Sequence, residues 1–98
     1  MGLSNRASQY GSAVSEQTLT VDATTAQGLT VPATAVSALI TAGANPVRWR
    51  SAGVSPTSTV GHYLAANANL EIFGVDLNAI KFISTTATSD LIITYFKD

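Results

Sequence analysis

The chain has 98 residues, enough for one domain, and only 11% of them are charged, less than half of the usual share of about 25%. Five Lys and Arg stand against six Asp and Glu, so the basic surface that binds nucleic acid or an anionic membrane is missing. The absence of Cys excludes disulfides and thiolate metal sites, and no apolar stretch approaches the roughly 20 residues of a membrane-spanning helix.

Low charge predicts a surface that is largely covered by other subunits. The cores of protein interfaces are depleted of charged residues, whereas a soluble monomer normally keeps a charged surface. A soluble β-sandwich with a threonine-rich face is the alternative explanation of the same composition.

The beginning of the chain is polar and has no apolar periodicity. Residues 2–12 are rich in Ser, Asn, Gln and Gly. We therefore predict a flexible arm over residues 1–12 and a single β-sandwich domain over residues 13–98. In an assembly, such an arm is expected to become ordered on a neighbouring subunit.

Short strands follow the arm. Residues 18–21 alternate polar and apolar side chains, which is typical of a half-buried strand, and Thr and Val favour extended backbone. A second strand is predicted over residues 28–32, and Pro32 should end it or place it at a sheet edge because proline has no N–H to donate. Further strands are predicted over residues 35–42, 47–51, 60–64, 70–73, 78–84 and 91–96.

The spacing of these strands predicts the fold class. Residues 43–45 are Gly-Ala-Asn, which are turn residues, so a hairpin is expected between the strands on either side. Turn residues recur about every 8–12 residues, and no segment has sustained helical periodicity. We predict an antiparallel β-sandwich or a jelly-roll-like barrel of about seven or eight short strands. Its core should include Trp49, Ile72, Phe82 and Ile93.

The final predicted strand is apolar on both faces. Leu91, Ile93 and Tyr95 share one face, and Ile92 and Phe96 lie with a threonine on the other. A strand with one face on the core needs only one apolar face, so Ile92 and Phe96 are candidates for contact with another chain. A central strand in a tight sandwich explains the same pattern equally well.

The titratable side chains are too few and too scattered to predict catalysis. His62 is the single His, and without Cys it cannot build a zinc site of the usual type. The chain also lacks a nucleophile elbow, a phosphate-binding glycine loop and an EF-hand loop. We predict a non-enzymatic protein without cofactor or metal; an enzyme would require His62 beside a carboxylate and a hydroxyl in one pocket.

Two arginines alternate with apolar residues in one predicted strand. Val47 and Trp49 should face the core, which turns Arg48 and Arg50 to the opposite side. Arginine is enriched at binding hot spots and pairs well with carboxylates. Arg48 and Arg50 are therefore candidates for partner contacts, and two solvated arginines are the alternative.

About two-thirds of the chain carries a wider pattern. Its segments are Leu29-Thr30-Val31-Pro32, Ala38-Leu39-Ile40, Val47-Arg48-Trp49-Arg50, Gly53-Val54-Ser55-Pro56-Thr57, Val60-Gly61-His62, Ile80-Lys81-Phe82-Ile83 and Thr94-Tyr95-Phe96. The pattern resembles small structural proteins encoded among the head genes of tailed bacteriophages, in which an arginine-rich strand precedes a Gly-x-x-Pro-Thr loop and a Gly-His pair. Trp49 and Ala52 depart from it, because a smaller aromatic and an acidic residue are common there.

The resemblance implies a structural role in a phage virion. The expected protein is a decoration or cement protein on the capsid surface that binds the major capsid protein, without nucleic acid or membrane partners. The low charge and the two-faced final strand predict a homo-oligomer, with a trimer as the expected number. A tail component, a head–tail component or a receptor- or glycan-binding module is the alternative. An exposed cluster of Trp49, Tyr63 and Phe73 would favour the binding module.

Overall fold

The computed structural model describes residues 12–98, so nearly all of the predicted arm lies outside the described residues. The described chain forms eight strands and one short 3-10 helix, Gly74–Asn78. The strands are β1 (Ser12–Val21), β2 (Gln27–Gly28), β3 (Ser37–Thr41), β4 (Val47–Arg50), β5 (His62–Leu64), β6 (Asn69–Phe73), β7 (Lys81–Ser84) and β8 (Ser89–Lys97).

The strands form two antiparallel sheets of four strands each. The front sheet has the order β1-β8-β3-β6 and the back sheet has the order β2-β7-β4-β5. The first strand pairs with the last, β2 with β7, β3 with β6 and β4 with β5. This pairing is that of one long antiparallel ribbon wrapped around a core, which is the jelly-roll arrangement. The predicted all-β fold is confirmed.

The core lies between the inward faces of the two sheets. In β8, Ile93 is 0% exposed whereas Ile92 is 46% exposed, as the period-two alternation requires. Ile72 and Phe82 are also buried, as predicted. Trp49 is only half-buried and packs against the border of the core. Its cross-strand neighbour is His62 on β5. Because β5 is a three-residue strand at the edge of the sheet, it covers the indole ring only in part.

The first two strands differ in length from the prediction. β1 extends back to Ser12, and its first residues are exposed and held by pairing with β8 rather than by burial. β2 pairs with β7 only through Gln27 and Gly28. The chain up to Pro32 then leaves the sheet, although Leu29 and Val31 still pack against the core.

The predicted hairpin over residues 43–45 is wrong. β3 belongs to the front sheet and β4 to the back sheet, so this turn crosses from one sheet to the other. The crossing places Ile40 and Val47, both 0% exposed, on the two inward faces that enclose the core. A hairpin would have put both apolar strands side by side in one sheet.

Four loops meet at one end of the sandwich, called the tied end. They are residues 22–26, 42–46, 65–68 and 85–88. The Asn45 side chain donates to the Thr88 carbonyl (2.8 Å), and the Asn45 carbonyl accepts from the Ser89 hydroxyl (2.8 Å). The Asn67 N–H donates to the Gly43 carbonyl (3.1 Å). Hydrogen bonds between loops therefore fix this end.

The opposite end, called the open end, is built from longer loops. Residues 29–36, 51–61 and 74–80 lie there, beside the start of β1 and the end of β8, which pair through Ser12 and Lys97. The Gly74 N–H donates to the Val36 carbonyl (2.8 Å), and the Gly53 N–H donates to the Ala79 carbonyl (3.3 Å). The 74–80 loop thus contacts both of the others and makes the three loops one continuous surface.

Candidate interaction surfaces

Exposed apolar side chains are concentrated at the open end. Of the seven large apolar residues that are exposed in the described chain, Val36, Val54 and Val60 lie on the open-end loops. Val14, Tyr63 and Phe73 lie on strands near the same end, with Tyr63 and Phe73 on opposite outer faces of the sandwich. Exposed apolar side chains that gather in one region indicate an interaction site more strongly than scattered ones. The open end is therefore the first candidate surface.

Arg48 shapes the longest open-end loop. Its Nε donates to the Ser58 carbonyl (3.3 Å) and its Nη1 to the Gly61 carbonyl (2.9 Å). The guanidinium also lies 5.4 Å from the centre of the Tyr63 ring, within the range of a cation–π interaction. Arg48 thus holds the 51–61 loop, while its predicted contact with a partner stays a prediction.

The same loop begins with a strained turn. The Val54 N–H donates to the Ser51 carbonyl (3.2 Å), and the two residues between them both have positive φ, 59° at Ala52 and 76° at Gly53. Two successive left-handed residues are typical of a type I′ turn, which prefers Asn-Gly. Alanine in this region costs about 1–2 kcal/mol, and such strain is common in binding loops.

The four residues predicted to contact a partner fall on opposite sides of the molecule. Arg48 and Arg50 project from the outer side of the back sheet, as the alternation predicts, because Val47 between the sheets is buried. Ile92 and Phe96 project from the outer side of the front sheet. One partner surface cannot contact all four at once.

A groove of about 420 Å³ runs along the free edge of β1. Its floor holds a polar network in which the Gln17 Oε1 accepts from the Tyr95 hydroxyl (2.5 Å) and from the Thr30 N–H (3.2 Å). Burial raises the pKa of Tyr95 to about 12, so this hydroxyl keeps its proton, and can act as a donor, into the alkaline range where an ordinary tyrosine ionises. Gln17 and Tyr95 are 78 residues apart in the chain, and no local sequence pattern could have paired them.

His62 lies far from this groove. Its ring packs against the Trp49 ring, with 4.5 Å between the centroids. β5, which carries His62, is the edge strand of the back sheet on the side away from β1 and β2. Within residues 12–98, no group of three or more His, Asp or Glu side chains is arranged to hold a metal ion.

The aromatic cluster that would favour a receptor- or glycan-binding module does not form. Trp49 faces the core, Tyr63 lies on the outer side of the back sheet opposite Arg48, and Phe73 lies on the outer side of the front sheet opposite Ser37. The three rings therefore offer no common stacking platform. In the part of the chain that the structure describes, no helix is long and apolar enough to cross a membrane.

Comparison with known proteins returns no relative. No protein-family model, curated protein or solved structure matches the chain.

Proposed function

We propose that this protein is a non-enzymatic virion protein of a tailed bacteriophage. In this proposal it is a decoration or cement protein that binds the outer surface of the assembled head and stabilises it through contacts with the major capsid protein. The observation that carries the proposal is the exposure of Val36, Val54 and Val60 on the loops of the open end. The jelly-roll architecture, which is frequent among viral capsid domains, supports it by analogy only.

The open end is the surface proposed to contact the capsid. Its loops 29–36 and 51–61 contain no charged residue, and depletion of charge is characteristic of interface cores. Burial of Val54 and Val60, which are 42% and 52% exposed, would remove apolar surface from water at about 25 cal/mol per Å². No covalent chemistry is needed for this role.

The position of the first described residue supports the same orientation. Ser12 begins β1 at the open end, opposite Lys97 near the end of the chain. The predicted arm therefore joins the domain on the side proposed to face the shell. A second contact made by the arm on a neighbouring coat subunit would raise the effective concentration of the domain at its site.

Binding to heads that lack the protein tests the proposal. Purified protein is added to such particles, and occupancy and the temperature of particle disruption are measured. We expect saturable binding and a higher disruption temperature. Saturable binding to purified tails or to host glycans instead of heads would replace this assignment with the alternative.

Paired variants locate the binding surface. Val54→Asp with Val60→Asp places two charges on the open end, and Ala44→Asp with Ala87→Asp places two charges on exposed positions of the tied end. We expect the first pair to weaken head binding by about tenfold or more, because like-charged or unpaired groups in an interface are costly, and the second pair to bind like the wild type. Loss of binding in the tied-end pair alone would contradict the proposed orientation.

A further inference from the structure

Negative charge collects on the outer side of the front sheet, called the acidic face. Glu16 lies opposite Thr94, Glu71 lies opposite Leu39, and Asp90 lies opposite Thr20. The Thr20 hydroxyl donates to Asp90 Oδ1 (2.6 Å), which holds this carboxylate against the sheet. The only cation on a described strand of the front sheet is Lys97, and it follows the outward Phe96 and so projects to the opposite side.

Positive charge collects on the outer side of the back sheet, called the basic face. It carries Arg48, Arg50 and Lys81, and the four strands of this sheet contain no Asp or Glu. Arg50 and Lys81 are direct cross-strand neighbours. Like charges in this relation destabilise a sheet, so a carboxylate from outside the molecule would relieve a repulsion that the described back sheet does not neutralise itself.

Each face also offers an exposed apolar side chain. Ile92, 46% exposed, lies on the acidic face between Thr18 and Thr41. Tyr63, 57% exposed, lies on the basic face beside Arg48. The described residues extend over 40 × 24 × 19 Å, so the outline of one broad face is on the order of 800 Å², about what each partner contributes to an interface of standard size. The outward Ile83 beside Arg48 is only 3% exposed, so part of the basic face is already covered by the chain itself.

We propose that the occupant of these faces is a second copy of this chain, with the acidic face of one copy on the basic face of the next. The two faces carry opposite charge, and each carries an exposed apolar side chain to pack against the other. Because the contact joins copies of the chain, it holds whether or not the protein binds a capsid.

The geometry of this contact determines how copies assemble. It joins two different surfaces and is therefore heterologous, which produces rings when the rotation closes and open stacks when it does not. The two faces lie on opposite sides of the sandwich, so repeated contacts extend as a stack, whereas a compact trimer needs contact surfaces that are inclined to one another. Exposed ion pairs are individually weak and screened by salt, so self-association should be strongest at low ionic strength.

Complementary charge reversal tests the proposal by sedimentation velocity. The basic-face variant carries Arg50→Glu and Lys81→Glu, and the acidic-face variant carries Glu16→Lys and Asp90→Lys. In dilute salt we expect the wild type to associate and each variant alone to associate about tenfold more weakly or worse. An equimolar mixture of the two variants should regain association, because both kinds of contact are then between opposite charges.

Controls separate this result from unfolding and from general charge effects. Asp76→Lys and Lys97→Glu change charge at positions on neither face and should associate like the wild type. Far-UV circular dichroism checks each fold. Neutral versions (Arg50→Gln with Lys81→Gln, Glu16→Gln with Asp90→Asn) should each associate more weakly than the wild type, and mixing them should restore only 1:1 pairs, through the one unchanged face of each variant, rather than longer stacks.

Three results would overturn the proposal. The first is a wild type that stays monomeric at high concentration in dilute salt. The second is an effect of reversal on one face alone, which indicates a symmetric contact through that face. The third is failure of folded variants to associate on mixing. Binding to heads is measured in a separate experiment, as occupancy at saturating protein concentration. Failure of self-association therefore leaves the proposed capsid role intact.

Discussion

The loops that connect the strands differ between the two ends of the jelly roll. At the tied end, the loops are short and consist of small and polar residues. Their polar groups form hydrogen bonds such as those of Asn45 with Thr88 and Ser89. At the open end, longer loops expose valine side chains and are held by an arginine from the adjacent sheet. The tied end therefore serves stability, and the open end has the features of a recognition surface.

This difference also indicates where the protein can tolerate change. At Gly43 in the tied end, backbone atoms of β8 leave no room for a side chain, whereas Ala44 and Ala87 at the same end are exposed. The open end carries strain at Ala52 and unfilled space around its tight turn. The same substitution should thus have unequal effects at Gly43 and at Gly53.

The largest expected effect is at Gly43 in the tied end. A Cβ at this position would lie 2.4 Å from the Asp90 carbonyl oxygen and 2.9 Å from the Asp90 nitrogen, both backbone atoms of β8. We expect Gly43→Ala to reduce the free energy of unfolding by about 2–3 kcal/mol, because packed backbone must move. Urea unfolding measures it.

Gly53→Ala in the open end is the matched control. A Cβ there meets no atom within 4 Å, and its penalty comes only from a φ of +76°, about 1 kcal/mol. An equal or larger loss at Gly53 would contradict the proposed difference between the ends.

The next effect is the alkaline limit of stability. The folded pKa of Tyr95 is about 12, whereas an unfolded tyrosine titrates near 10. The folded state keeps the proton in a range where the unfolded chain loses it, so this contribution to stability is complete below about pH 10 and is lost between about pH 10 and 12. Over that range the free energy of unfolding of the wild type should fall by about 1–2 kcal/mol more than that of Tyr95→Phe, allowing for partial solvent screening at the groove. Urea midpoints of both proteins at each pH measure the difference, and parallel pH profiles would argue against a buried Tyr95 hydroxyl.

Arg48→Met should loosen the open end. The substitution keeps the apolar stem and removes the donors to the Ser58 and Gly61 carbonyls, which should cost about 1 kcal/mol. Thermolysin, which cleaves before apolar residues, should then cut within residues 51–61 faster than in the wild type. Arg50→Met is the matched control, because it removes the same charge from a residue that lacks these hydrogen bonds. It should leave the cleavage rate unchanged and the free energy of unfolding within about 0.5 kcal/mol of the wild type. Equal effects of Arg48→Met and Arg50→Met would show that Arg48 does not brace the loop.

The smallest expected effect is a gain at Ala52. Asparagine adopts the left-handed conformation more readily than alanine, so Ala52→Asn should raise the free energy of unfolding by about 0.5 kcal/mol. Ala87→Asn, at an exposed position of the tied end, should not change it. Thermal unfolding of both variants checks this, and destabilisation by Ala52→Asn would mean that the turn is not the one described.

Local sequence patterns predicted what depends on local physics. The two-faced alternation of β8 is visible in its residues, and Ile93 and Phe82 are buried where apolar periodicity places them. The placement of Arg48 and Val47 on opposite sides of β4 follows from the same period of two. These features need no knowledge of which strand lies beside which.

Other features depend on pairing between distant segments. The turn at residues 43–45 reads as a hairpin, and only the placement of β3 and β4 in separate sheets reveals the crossing. The first residues of β1 are exposed, so they lack the alternation of polar and apolar side chains that marks a half-buried strand. Their partner strand, β8, lies at the far end of the chain. The separation of Glu16 and Asp90 from Arg50 and Lys81 likewise appears only once the registers are known.

The central claim is that the open end binds the capsid, and a cryo-EM map of heads saturated with the protein tests it most directly. We expect density for one jelly roll at repeated positions on the outer shell, with the 51–61 loop against coat subunits and the turn at residues 43–45 facing solvent. Density on the tail alone, or a domain seated on the shell by its tied end, would contradict it.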